Sequence, residues 1–198
     1  MFTPATIISI EGPDKVGKET QSKLLAEDLE SQGFSVKIVD VPVNSLITHT
    51  LIYWMLGNGL ALRFPTLFQT IQFFNKLWFQ LTKLIYYRFK YSYVILDRWS
   101  HSAYVYGKVT FVPMFLVNIM FSVLREPDAT ISIKGDSFLR EKKDDVYESD
   151  SSLQSRVRHE YEVLGRKNVL NKNFIEISNE GSRELTHERI MKSLKEYM

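Results

Sequence analysis

The run Ile7-Ile8-Ser9-Ile10-Glu11-Gly12-Pro13-Asp14-Lys15-Val16-Gly17-Lys18-Glu19-Thr20-Gln21 constrains this chain more than any other segment. An apolar strand empties into a Gly-x-x-x-x-Gly-Lys loop, and the residues beyond it read as a helix. Such a loop aims successive backbone N–H groups and a helix N-terminus at one point, and the lysine reaches the same point. The phosphates of a nucleoside triphosphate satisfy all of them together. Gly12, Asp14, Lys15, Val16, Gly17, Lys18, Glu19 and Thr20 are therefore the candidate triphosphate-binding residues; the plain alternative is a strand-turn-helix without a ligand. The position after the lysine is usually Ser or Thr, whose hydroxyl ligates Mg²⁺. Here it is Glu19, with Thr20 one place later.

The chain has 198 residues, 44% of them apolar, which suits a single domain over 1–198 with a sizeable core. A net charge of +2 makes no broad electrostatic case for a nucleic-acid partner. With no cysteine, disulfides, thiolate chemistry and Cys-containing zinc sites are excluded. The N-terminus lacks a basic region followed by a long apolar stretch, so an intracellular, cytoplasmic protein is expected.

Short apolar runs alternate with longer helical stretches, the pattern of a parallel sheet wrapped by helices. Strands are expected at about 6–10, 35–40, 93–96, 129–133 and 173–177. Helices are expected over 18–32, 44–56, 65–90, 100–107, 112–123, 151–164 and 183–197. Residues 46–91 are rich in aromatics, among them Trp54, Phe68, Phe73, Phe74, Trp78, Phe79, Tyr86 and Tyr87. Arg63, Gln69, Gln72, Asn75, Lys76, Gln80 and Lys83 interrupt the apolar runs short of the ~20 residues a membrane span needs. Amphipathic helices fit better, their aromatic surface serving as core, dimer face or partner site. The stretch Lys134–Ser152 carries six acidic and four basic residues with little apolar content and reads as a surface segment, a lid candidate.

A second cluster is Val94-Ile95-Leu96-Asp97-Arg98-Trp99-Ser100-His101-Ser102-Ala103-Tyr104-Val105-Tyr106. A strand ending in Asp-Arg puts a carboxylate and a guanidinium at the carboxyl edge of the sheet, where open α/β folds bind ligands. Arg98 can fork two phosphate oxygens, and Asp97 can orient a metal-bound water or the metal itself. A strand-end salt bridge is the alternative, and the neighbouring phosphate loop weighs against it.

Together these motifs resemble the thymidylate kinase family of P-loop nucleoside monophosphate kinases. The resemblance runs through Glu-Gly-x-Asp-x-x-Gly-Lys-x-Thr-Gln at 11–21, Pro42, Asn75-Lys76, Asp-Arg-Trp-x-x-Ser-Ala at 97–103, Pro127-Asp128 and Tyr147-Glu148. It implies a three-layer P-loop fold with a five-stranded parallel sheet. The activity implied is Mg²⁺-dependent transfer of the ATP γ-phosphoryl group to a deoxynucleoside 5′-monophosphate, dTMP or a related pyrimidine nucleotide. Carried over, Lys18, Lys15, Arg98 and Asp97 are catalytic, with Lys18 on the β- and γ-phosphates and Lys15 neutralising the transferred group. Asp14 meets the acceptor sugar 3′-hydroxyl, Arg98 and Lys76 clamp the acceptor phosphate, and Tyr106 lies where a 2′-hydroxyl would project. Pro42, Gln72, Phe73, Ser102 and Ala103 complete the acceptor pocket, and Arg140 is the lid cation nearest ATP. The family is commonly homodimeric through helices.

The departures mark a divergent member of viral or phage type. Val43 and Asn44 follow Pro42 where the family has an acidic residue and then a phosphate-binding arginine. Lys76 replaces an arginine and so offers charge without the bidentate fork. Gln72 stands where a phenylalanine stacks on thymine, unless a one-residue shift brings Phe73 there. Val146 stands where a lid arginine is common. For the metal, Asp97 is joined either by Glu19, directly or through water, or by Thr20 while Glu19 points away. A kinase for another nucleoside monophosphate, or a nucleotide-binding protein with weak catalysis, are the readings these substitutions leave open.

Overall fold

The computed structural model describes residues 4–41, 47–135, 150–167 and 173–197. Five strands, β1 (Thr6–Glu11), β2 (Val36–Asp40), β3 (Tyr93–Asp97), β4 (Ala129–Lys134) and β5 (Phe174–Ser178), form one sheet in the order β2-β3-β1-β4-β5. Every pairing is parallel, with Ile8 opposite both Ile95 and Ala129. Each expected strand is present.

Parallel strands must be covered on both faces, and their composition follows from that. Ile8, Ile10, Ile95, Ile131, Ile133, Ile175 and Ile177 point to one face, where they meet Leu25 and Leu29 of α1 (Lys18–Ser31) and Ile190 and Leu194 of the last helix, Arg183–Tyr197. Ile7, Val39, Val94 and Leu96 point to the other, against Phe79, Leu84 and Trp99. Ser9 also faces that way, and its hydroxyl shares a 3.0 Å hydrogen bond with Thr130, so a buried polar pair replaces an apolar one at the sheet centre.

The aromatic region folds as helices: α2 (Ile47–Gly57), the single turn α3 (Leu60–Arg63), α4 (Pro65–Phe79) and α5 (Ile85–Lys90). α4 and α5 form the one long helix expected at 65–90, joined by a π turn at Gln80–Leu84. Beyond β3 come α6 (Ser100–Val109) and α7 (Met114–Val123); α8 (Ser151–Lys167) precedes β5 and α9 (Arg183–Tyr197) follows it. Ile52, Phe68, Val105, Leu153, Val157 and Tyr161 pack α2, α4, α6 and α8 into a separate buried cluster. The carboxyl ends of β1 and β3 open between this cluster and α1. Pro42, Val43 and Asn44, and most of the lid candidate including Arg140, Val146, Tyr147 and Glu148, lie outside the described residues.

Candidate active site

The loop after β1 takes its path from three positive φ angles, at Gly12 (138°), Lys15 (63°) and Gly17 (92°). A Cβ on Gly12 would stand 2.4 Å from the Ile133 carbonyl oxygen, so β4 requires glycine there. Gly17 caps α1 without a side-chain cap hydrogen bond, the arrangement that suits a helix N-terminus to receiving an anion. Lys18, buried, bonds back to the Pro13 carbonyl across the loop.

Opposite, Arg98 sits at φ 67°, a left-handed conformation that costs a bulky residue on the order of 1–3 kcal/mol and persists only where neighbours enforce it. Its N–H donates to the Ile10 carbonyl at 3.0 Å, tying β3 to β1. Its guanidinium bonds Asp14 and the Gly12 carbonyl and lies 5.7 Å over the Tyr106 ring. Asp14 also accepts the Tyr106 hydroxyl at 2.7 Å and the Gln154 amide at 2.6 Å. Lys76, on α4, reaches the Trp99 carbonyl.

Burial raises the Asp14 carboxyl, but Arg98, Lys18 and the Tyr106 and Gln154 hydrogen bonds overcome it and hold the group at about 2. Lys18 is pushed down to about 8 by burial and by Arg98, against the pull of Asp14, Asp97 and Glu11. Burial lowers Lys76 to about 8, with Glu11 pulling against it and Arg98 adding a smaller push down. Burial works against the charge on Arg98 too, yet Asp14 leads the groups that hold it above its ordinary value. Lys18, Lys76 and Arg98 thus interact electrostatically beside the Asp14, Asp97 and Glu11 carboxylates, a concentration of perturbed charges of the kind found at functional sites.

Residues 10–190 match the sequence profile described as Thymidylate kinase. The chain belongs to the thymidylate kinase family. A member of this family is a nucleoside monophosphate kinase, and the cluster around Lys18, Asp14 and Arg98 is its candidate active site. Solved structures agree on the fold. Thymidylate kinase from Ehrlichia chaffeensis superposes with a TM-score of 0.73 at 19% identity, over 96% of this chain and 99% of that one. Thymidylate kinase from Candida albicans, whose structure is described as revealing the origin of broad substrate specificity, superposes at 0.71 with 20% identity, over 98% and 94%. No curated protein sequence matches the chain significantly.

For a kinase of this family the remaining residues divide clearly. Asp97 has a buried carboxylate oxygen without a hydrogen-bond partner, and burial raises its carboxyl against Lys18 and Arg98. An orphaned carboxylate oxygen beside the phosphate loop is the donor that Mg²⁺ or its water would use, so the site fits the metal. Glu19 is exposed and paired with Lys23 at 2.6 Å, one turn along α1. Thr20 lines a cavity of about 590 Å³ together with Val16, Gly17, Gln21, Asn179, Gly181, Arg183 and Thr186. Val16 itself is core.

Ser102 is committed to Glu11 and to Tyr161, whose hydroxyl lies at 2.9 Å. Phe73 and Ala103 line a small gap with Gln69, Val117, Met120 and Leu124, behind the cluster. Gln72 is half-buried on α4. Sequence reasoning missed Glu11, Gln154 and Tyr161. A carboxylate ending an apolar strand was a usable signal for Glu11. Gln154 and Tyr161 gave none, because only tertiary packing brings α8 to β1.

Proposed function

We propose that this protein transfers the γ-phosphoryl group of ATP to dTMP or a closely related pyrimidine deoxynucleotide, giving ADP and the diphosphate. The observation that carries the reading is the convergence of Lys18 with Arg98, Asp14 and Tyr106 where β1 and β3 end. Phosphoryl transfer demands positioning and charge stabilisation more than covalent chemistry. An acceptor monophosphate, with its second pKa near ~6, already presents an oxyanion at neutral pH, so no side chain need remove a proton. An acceptor oxygen forms its bond to the γ-phosphorus as the bond to the β,γ-bridging oxygen breaks, and ADP leaves with that oxygen.

In this reading Lys18 and the loop N–H groups hold the β- and γ-phosphates, and Lys15, in the loop itself, faces the transferred group. Arg98 and Lys76 hold the acceptor phosphate, and Asp14 takes the sugar 3′-hydroxyl. Pro42 and Gln72 belong to the acceptor side and Arg140 to ATP, while Ser102 is spent on Glu11 and Tyr161, and Phe73 and Ala103 line the small gap beside Val117 and Leu124. When bound, Mg²⁺, held through Asp97, would supply positive charge to neutralise the donor phosphates. Of the two remaining candidates, the Glu19–Lys23 ion pair favours Thr20. We place the enzyme in the cytoplasm, where ATP and nucleotide monophosphates are found, and assign it a homodimer formed through its aromatic helices.

The test is a panel: purified protein with ATP and Mg²⁺, offered each common ribo- and deoxynucleoside monophosphate and 5-substituted dUMP analogues, with Lys18→Ala as control. Product confined to dTMP or its analogues, and a loss of roughly 100-fold or more in K18A, is expected. Turnover undiminished in K18A would sink the phosphate-loop assignment. ATP binding without product from any acceptor would move the reading to a non-catalytic nucleotide-binding protein.

A further inference from the structure

Glu11 ends β1 with no solvent exposure. A buried carboxylate is costly unless donors surround it. Here the Trp99 N–H donates to it at 2.7 Å, and the Ser102 and Tyr161 hydroxyls donate as well, the latter at 3.2 Å. The Trp99 carbonyl in turn accepts Lys76. Both backbone polar groups of the residue that follows Arg98 are thus held by buried ionic side chains, one from β1 and one from α4. Arg98 is left-handed and Trp99 follows at φ −137°, ψ −127°, an irregular path into α6 that local preference does not supply.

We propose that Glu11 is a positioning residue: its carboxylate locks the Arg98–Trp99 backbone so that Arg98 and Lys76 converge on a single acceptor phosphate, and through Tyr161 it couples that clamp to α8. This rests on the kinase reading. Lys76 contributes charge to the clamp while bracing the same loop, since an ammonium has further donors beyond the one on Trp99. α8 carries Gln154, which bonds Asp14, so Tyr161 and Gln154 join the same helix to the start of the loop, at Glu11, and to its middle, at Asp14. Neither Glu11 nor Tyr161 needs to touch substrate for this.

Glu11→Gln keeps the volume and replaces one acceptor oxygen with a donor facing the Trp99 N–H or the hydroxyls. The KM for dTMP should rise about 10-fold or more while the KM for ATP stays within about twofold. Amide hydrogen exchange should quicken only over Asp97–Tyr106 and in α8. Ser102→Ala and Tyr161→Phe, each removing one donor, should show smaller rises in the same direction and supply the readout if E11Q does not fold. Equal changes in both KM values, or faster exchange throughout the sheet, would mean a general structural role and overturn the proposal. A wild type that neither binds nor phosphorylates dTMP or any other nucleoside monophosphate of the panel overturns the kinase reading and the clamp with it. A competent wild type beside a kinetically silent E11Q overturns the role of Glu11 alone.

Discussion

Asp14 concentrates the electrostatics of the site into one titration. Its folded value of about 2 lies below its ordinary 3.8, so it stabilises the fold above pH 3.8 and loses that contribution as pH falls through 2. The difference amounts to about 2 kcal/mol. Urea midpoints between pH 2 and 5 should drop more steeply for the wild type than for Asp14→Asn, and parallel curves would contradict the assignment. Lys18 and Lys76 act in the opposite range, both near about 8 in the free protein. In the proposed mechanism both act as cations, so kcat/KM should fall above about pH 8, and a profile flat to pH 10 would deny them that part. Over the same interval the folded protein binds fewer protons at these lysines than the unfolded chain, so their contribution to stability rises with pH. Tyr106, bonded to Asp14 and stacked on Arg98, is the proposed sugar gate. Tyr106→Ser should raise ribonucleotide turnover relative to deoxyribonucleotide, measured as the ratio of kcat/KM values; an unchanged ratio removes the gate.

Between β1 and β4 the phosphate loop has no slack. Gly12→Ala would force a Cβ to 2.4 Å from the Ile133 carbonyl at a φ that disfavours any side chain. Loss of about 2 kcal/mol or more in the denaturation midpoint, with ATP affinity falling alongside, is the expected result. A G12A protein of native stability would show that β4 yields. The π turn between α4 and α5 has a local cause as well. The Thr82 hydroxyl donates to the Trp78 carbonyl at 2.6 Å, and the Gln80 amide donates to the Val123 carbonyl and accepts from the Arg125 N–H. The interruption thereby fixes the end of α7 that feeds β4.

At the scale of the whole molecule, the unusual property is its apolar surface. Tyr53, Trp54, Phe64, Leu67, Phe74, Trp78, Leu81, Ile85, Tyr86 and Phe89 are all exposed. Half-exposed side chains of this size amount to on the order of 1,000 Å², above the few hundred usual for a monomer and near what each partner buries in a stable dimer. Leu67, Phe74, Trp78, Leu81, Ile85 and Phe89 recur at spacings of three, four and seven, the repeat of a helix-pairing seam. Sedimentation at micromolar concentration should give a dimer, and Trp78→Glu with Leu81→Glu a monomer. A monomeric wild type would reject the homodimer.

The sequence by itself determined the sheet, the phosphate loop and the placing of Asp97 and Arg98 next to each other at a strand end. Those features are written in local patterns: β-branched runs, glycine spacing and a helix following a turn, each legible within about ten residues. It did not determine what Glu11, Gln154 and Tyr161 do, or that Ser102 is spent inside the core. Those outcomes depend on contacts between residues as many as 150 positions apart, as between Glu11 and Tyr161, which no local pattern encodes. Only the packing of α8 against the end of β1 and the loop after it brought Gln154 to Asp14 and Tyr161 to Glu11.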